Sequence, residues 1–426
     1  MKKNLRYSRA AGTAYCGCLL ASLIPASMAL ADWEAVPDVR MGVEANDNPR
    51  LGQSPDDRGL DPEAFDDHTA TRMLMDAAVQ MRNAGPRGQI TLRPRARVDT
   101  YADEVDEDLE REDLYLNARA SYQWTRTTAG VRADLSRESI LSAELADTEI
   151  DEPEDPIVDP IDTDTGQLVL LDELRNRAIF TPYANFTLSE RSTLLTEARY
   201  VDVSYTGPEL RSRTDFTDTS IGLGVGRTID ARTGAAARLI VSRYEADATR
   251  NETDTIGVEG SFNRQLNEFW NFNLTTGLQR SEFNFVDEEG ELIDNAATNY
   301  TLDISFRKQT ELSTLTVGAF RRLNPNAVGF LVERNELRMN YRRQLSERLS
   351  AGMGFRLMET GALDRPGQDR EYVRADFDVE WAFTPSWSFR AGYGAVNQEF
   401  PGERTDGSAN LLSLGAVYRG LSRGGG

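Results

Sequence analysis

Cysteine is nearly absent from this sequence. Of 426 residues only Cys16 and Cys18 are cysteine. The chain beyond them has no disulfide framework and no thiolate metal site. Histidine is scarcer still, with His68 alone. No later segment holds 18 consecutive apolar residues, which excludes a membrane-crossing helix there. Helical spacing of apolar residues is not sustained anywhere after the N-terminal segment. Basic charge is in deficit: 48 Lys and Arg against 69 Asp and Glu leave a net charge of −21. That balance argues against a nucleic-acid partner, because phosphate binding needs a basic face.

Residues 1–31 read as a secretory signal peptide. Lys2, Lys3, Arg6 and Arg9 form a positive start, an apolar stretch surrounds Leu19–Ile24, and Ala29 and Ala31 bracket Leu30 as a cleavage site near Ala31. A membrane anchor fits less well, since the apolar core is short and interrupted. The residues before Cys16 and Cys18 are poor matches to a lipidation site. Cleavage removes four basic residues and no acidic one, taking the net charge from −21 to −25. It also removes both cysteines, which suits a large chain that crosses the periplasm unfolded. Residues 32–426 then remain as one domain.

What the chain has in quantity is alternation. Tyr300, Leu302, Ile304 and Phe306 are interleaved with Thr301, Asp303, Ser305 and Arg307. Val373, Ala375, Phe377, Val379, Trp381 and Phe383 alternate with Arg374, Asp376, Asp378, Glu380 and Ala382. Ile221, Leu223 and Val225 alternate with three glycines. Period two is the mark of a strand with one apolar face.

Turn-like stretches divide these runs, most of them about 40 residues apart. The tetrapeptide Leu-Ser-Glu-Arg serves twice, at 188–191 and 345–348. Longer polar stretches, among them 103–113, 142–176 and 360–369, lie between successive short turns. The repeating unit is strand, short turn, strand, long loop. Phe262, Phe306 and Tyr341 fall just before short turns, where an interfacial aromatic girdle belongs. Tyr205, Tyr244 and Phe283, at the far strand ends, are expected to supply a second girdle.

The pattern predicts an all-β, transmembrane, antiparallel up-and-down β-barrel with short periplasmic turns and long acidic extracellular loops. Runs of 10–13 residues exceed the usual soluble strand of about 5–6 and suffice for a tilted strand to cross a bilayer, about 9–11 residues. A soluble β-protein shares the alternation but has no reason for aromatic bands at both strand ends. In lipid only a closed sheet pairs every backbone group. The count is about 18 strands, from 38–46 and 71–83 to 387–398 and 409–420. The first strand is the weakest, and its loss leaves 16. Either number is wide enough for an aqueous channel. Outer-membrane chains commonly end on an aromatic that the barrel-assembly machinery reads. Here that position falls to Tyr418, with eight residues after it.

The end of the first strand, Asn46-Asp47-Asn48-Pro49, the segment 181–191 and the repeated Leu-Ser-Glu-Arg hairpins together resemble a family of uncharacterised outer-membrane β-barrel porin-type proteins. Some members accompany exopolysaccharide loci. The resemblance spans most of the chain after the signal. It implies the fold and a location in the outer membrane of a Gram-negative cell more firmly than any solute.

Chemical sites are few. His68 follows Asp66 and Asp67. It fits a solvated loop, and no nucleophile motif accompanies it as a catalytic base requires. No catalytic residue is assigned, the chain is read as no enzyme, and no cofactor is called for. Asp162 and Asp164 before Gly166 are a fragment of a calcium loop, without the further carboxylates and closing Glu that a full loop needs. The acidic, proline-broken stretch 149–164 is otherwise a flexible loop. Its functional alternative is a weak cation site bridging to lipopolysaccharide phosphates.

The charged face of the strands offers more. Arg93, Arg95 and Arg97 share the polar face of one strand, and Arg119 and Arg132 follow on the next two. Arg338 and Arg342 form a second group, with Arg374, Asp376, Asp378 and Glu380 after them. Charged rings inside a pore set selectivity. Equally, such residues could pair with one another and only stiffen the wall. The function classes are a passive channel for small hydrophilic solutes or saccharides, a non-conducting structural or exopolysaccharide-associated barrel, and an outer-membrane enzyme or receptor. The expected partners are outer-membrane lipid, lipopolysaccharide, the assembly machinery and a solute or polysaccharide.

Overall fold

The computed structural model describes residues 33–49, 69–102, 109–140, 174–206, 213–247, 251–286, 292–325, 331–362, 370–399 and 407–420. The signal segment, His68, Asp162 and Asp164 lie outside them. The first six strands are β1 (Glu34–Asn46), β2 (Ala70–Ala84), β3 (Gly88–Tyr101), β4 (Arg111–Gln123), β5 (Thr127–Ser139) and β6 (Leu174–Ser189). Next come β7 (Ser192–Thr206), β8 (Phe216–Asp230), β9 (Thr233–Ala246), β10 (Asn251–Gln265), β11 (Trp270–Val286) and β12 (Leu292–Gln309). The last six are β13 (Ser313–Pro325), β14 (Leu331–Gln344), β15 (Leu349–Ala362), β16 (Arg370–Ala382), β17 (Trp387–Glu399) and β18 (Gly407–Arg419).

Consecutive strands pair antiparallel, and the sheet closes on itself. The weak first strand is a full member: β1 pairs with β2 from Glu34↔Arg82 to Asn46↔Ala70 and with β18 from Asp38↔Arg419 to Asn46↔Leu411. Closure leaves no open edge, so backbone groups are paired around the circumference. The described residues therefore form 18 strands, not 16.

The short turns gather at one end. Gly85 donates its N–H to the Gly88 carbonyl at 2.8 Å, and Trp124 to that of Thr127 at 2.7 Å. In both Leu-Ser-Glu-Arg copies the serine hydroxyl faces the arginine backbone: Ser189 accepts from Arg191 N–H and Ser346 from Arg348 N–H, each at 3.4 Å. A side chain that bonds the backbone two residues on is the local chemistry of a turn. The copies differ in length. The first is a two-residue turn after a register shift between Thr187 and Ser189; the second leaves four residues between β14 and β15.

Alternation places the apolar set outside. Ile221, Leu278 and Leu414 are 61%, 65% and 62% exposed, and Leu223, Val258, Met353 and Phe377 are exposed with them. A contiguous apolar exterior of this kind marks a lipid-facing surface. Toward the short turns it meets aromatics. Phe262, Phe272 and Phe306 stand in a row with centroids 6.2 and 4.8 Å apart, and Trp387 lies 5.0 Å from Tyr418. Lys308 Nζ sits 5.5 Å over the Trp270 ring. Toward the loop end the band gives way to exposed ion pairs: Arg243 with Glu245 at 2.6 Å and Glu252 at 3.0 Å, and Arg280 with Glu282 at 3.4 Å.

The second girdle is not where the sequence places it. Tyr205, Tyr244 and Phe283 are at most 5% exposed. Tyr205 and Tyr244 join Ile140, Ile179, Val201, Val203 and Phe216 in a buried cluster, with Phe216 and Tyr244 rings 5.5 Å apart. The reason is parity. Tyr205 lies six residues from Arg199, and Tyr244 six from Arg238; an even separation keeps each on its arginine's face. Leu331, at the start of β14, packs against this cluster from five to eight strands away. The interior narrows there.

Candidate functional site

The interior holds a cavity of about 3020 Å³. At about 30 Å³ per molecule it has room for roughly 100 waters. It runs from the short-turn end, where Asp230, Thr310 and Arg348 line it, to Arg72, Thr253 and Asn324 near the loop end. Among the described residues its lining holds 22 arginines, no lysine and 12 Asp or Glu, a net charge of +10. The acidity of the chain lies elsewhere: residues 141–173 carry 12 Asp and Glu and no Lys or Arg.

All eleven candidates line this cavity: Arg93, Arg95, Arg97, Arg119, Arg132, Arg338, Arg342, Arg374, Asp376, Asp378 and Glu380. They fall into two wall patches joined by ion pairs. Arg95 forks onto Asp76, with Nε–Oδ1 2.9 Å and Nη2–Oδ2 2.5 Å. Fully buried Asp99 collects three guanidiniums, from Arg72 at 2.8 Å, Arg97 at 3.2 Å and Arg111 at 3.1 Å. Glu336 does the same on the second patch, bonded to Arg334 and Arg338 and 3.1 Å from Arg356 Nε. Register explains that patch, since Arg338, Arg356 and Arg374 are successive cross-strand partners on β14, β15 and β16. Arg338 also stands 5.3 Å from the Phe320 ring, as Arg322 does at 5.5 Å. Glu380 takes the Ser388 hydroxyl at 2.6 Å and bonds Arg419.

Glycine makes room for the longer bridges. Arg342 reaches Asp378 at 3.4 Å across Gly352, where an added Cβ would lie 2.4 Å from the Asp378 carboxylate. Arg238 of β9 lies over the bare inner face of β8 to meet Glu197 at 3.3 Å, and meets Glu259 at 2.8 Å. A Cβ on Gly222 would stand 3.1 Å from its Cδ. The glycines between Ile221, Leu223 and Val225 thus keep the inner face of β8 open for an arginine from the next strand.

Sequence reasoning missed Arg40, Asp76, Arg177, Glu197, Arg238 and Arg390 as lining residues, and Glu336 as a hub. Strand parity was a sufficient signal for each. At the β8–β9 turn by the cavity mouth, Asp230 accepts the Arg232 N–H at 2.8 Å, which holds its carboxyl below the usual range. Among the described residues no group of three His, Cys, Asp or Glu is arranged to hold a metal.

No protein-family model matches the chain, and no curated protein matches it. Among solved structures it is similar to OccAB3 of Acinetobacter baumannii, at 13% identity, covering 91% of this chain and 99% of that one, with a TM-score of 0.44. It is similar also to OccK2 (OpdF) of Pseudomonas aeruginosa, at 10% identity, covering 91% and 98%, with a TM-score of 0.44.

Proposed function

We propose that this barrel is a passive channel for small hydrophilic solutes or saccharides in the outer membrane of a Gram-negative cell. Lipid and lipopolysaccharide surround it, and the barrel-assembly machinery inserts it. The observation that carries the reading is the cavity: charged pairs lie along the wall and leave a volume of about 3020 Å³ between the two ends. A barrel of 18 strands has the width for an aqueous lumen. Its excess of arginine favours anions over cations, because a charged pore wall concentrates the opposite sign.

A second reading, a non-conducting structural or exopolysaccharide-associated barrel, draws on the buried Arg–carboxylate hubs and on Leu331 meeting the inner cluster at the loop end. Conductance of the purified protein in a planar bilayer separates the two. Stable, stepwise current supports the channel. Silence at every salt concentration and voltage supports the structural barrel.

A further inference from the structure

The lumen has two unlike walls, and they face each other. In a closed sheet of 18 strands the wall opposite a given strand is nine strands away, so β2, β3 and β4 face β11, β12 and β13. Among the described residues, the cavity lining on β2–β4 contributes six arginines and one carboxylate, with five neutral hydroxyl or amide side chains. Adding buried Arg111, Asp99 and Asp113 still leaves seven arginines to three carboxylates. The lining on β11–β13 contributes two arginines, one carboxylate and eleven neutral hydroxyl or amide side chains. Asn271, Asn273 and Thr275 stand in file on one face of β11, with Ser305, Thr314 and Thr316 on the next two strands. Within this wall Asn273 Nδ2 is 3.4 Å from Ser305 Oγ, and Arg322 pairs with Asp303 at 2.5 Å.

We infer that the solutes this lumen takes best are acidic oligosaccharides, short chains of sugar rings that carry carboxylates. The inference rests on the channel reading. A guanidinium wall offers charge-assisted, forked hydrogen bonds to a carboxylate. A wall of amides and hydroxyls offers both donors and acceptors to sugar hydroxyls. A neutral sugar uses only the second wall. An anion without hydroxyls pairs with the first wall but can only accept hydrogen bonds from the second, leaving that wall's amide and hydroxyl acceptors without donors, which is costly. Only a solute with both chemistries satisfies both walls. Size agrees. Spread over strands of 13 residues or more at about 3.3 Å per residue and roughly 40° tilt, the cavity of about 3020 Å³ averages roughly 10–11 Å across. A chain of two or three sugar rings touches both walls, where a single ring touches one.

The test is the chloride current through the reconstituted full barrel in a planar bilayer, titrated with trigalacturonate, maltotriose or tricarballylate. The second probe is a neutral trisaccharide and the third a tricarboxylate without a sugar. Trigalacturonate is expected to reduce the current at a concentration about tenfold below either control, the worth of one or two extra hydrogen bonds. In a barrel carrying Arg93→Gln and Arg119→Gln both anions weaken while maltotriose is unchanged. In a barrel carrying Asn273→Val and Thr275→Val, trigalacturonate weakens while tricarballylate is unchanged. A conducting barrel in which trigalacturonate acts no better than tricarballylate overturns this inference and leaves the channel standing. A barrel that passes no chloride overturns both.

Discussion

Asp47 and Asn410, 363 residues apart in sequence, clasp each other at the seam where β1 meets β18. The Asp47 carboxylate accepts the Asn410 backbone N–H at 2.6 Å and its side-chain amide at 2.8 Å, and Asp47 N–H returns a bond to the Asn410 carbonyl at 3.2 Å. Asn48 adds a bond to the Ser408 carbonyl at 2.9 Å, and Tyr393 donates to the Asn410 side chain at 2.7 Å. The short Asn-Asp-Asn-Pro stretch is thus the loop-end fastening of the barrel's first strand to its last.

Removing that fastening loosens the seam. Asp47→Ala gives up two charge-assisted hydrogen bonds in an exposed setting, so the expected loss is about 1–2 kcal/mol. The urea midpoint of the barrel folded in lipid vesicles should fall accordingly. An unchanged midpoint means the seam is held by the β1–β18 ladder alone.

Glu336 is the shared partner of Arg334, Arg338 and Arg356. Glu336→Gln leaves three guanidiniums around a neutral amide. Breaking a buried charge pair by removing one member costs about 3–5 kcal/mol. The same change at Glu282, exposed on the outer face, is expected to cost under about 1 kcal/mol. Thermal unfolding of the two variants side by side measures the contrast, and equal stabilities refute the hub.

Neighbouring residues on one strand should respond oppositely to charge. Leu278 is 65% exposed on the outer face and Gln279 lines the cavity. Leu278→Arg places a charge in the lipid-facing band, where the cost is about 2–4 kcal/mol at the midplane. Gln279→Arg enters a lumen already lined by arginine and is expected to be tolerated. Folding yields into lipid vesicles check this, and a Leu278→Arg barrel that folds as well as the parent contradicts the outward assignment.

The lumen's net charge of +10 predicts selectivity. Under a KCl gradient across a planar bilayer the reversal potential should carry the sign of chloride preference and shrink as salt rises, because screening shortens the reach of the wall charges. Arg93→Glu combined with Arg119→Glu lowers the wall by four charges and should weaken that preference. A cation-selective parent would contradict the electrostatic account.

Much of this was legible in the sequence because a pleated strand sends successive side chains to opposite faces whatever its neighbours are. The run expected at 71–83 forms Ala70–Ala84, and that expected at 409–420 forms Gly407–Arg419. The eleven lumen candidates came from parity alone. Tyr244 faces inward because parity with Arg238 decides its face and its place at a strand end does not. What parity does not carry is which residues meet across strands. Arg238 reaches Glu197 because register sets it beside the glycines of β8. Asp47 finds Asn410 because the sheet closes. The first depends on register across three consecutive strands and the second on pairing between the two ends of the chain, neither of which alternation within one strand encodes.

The alternation itself can be read directly, since the chain beyond Cys18 has no cysteine to interfere. Single substitutions to cysteine at 256, 258, 259 and 261 on β10, in the barrel embedded in lipid vesicles, would be treated with a charged, membrane-impermeant thiol reagent. The account predicts labelling of Glu259→Cys and Ser261→Cys, which line the lumen, and protection of Ile256→Cys and Val258→Cys, which face lipid. Labelling of all four at equal rates, or the reverse alternation, would contradict a sealed cylinder with water inside and acyl chains outside.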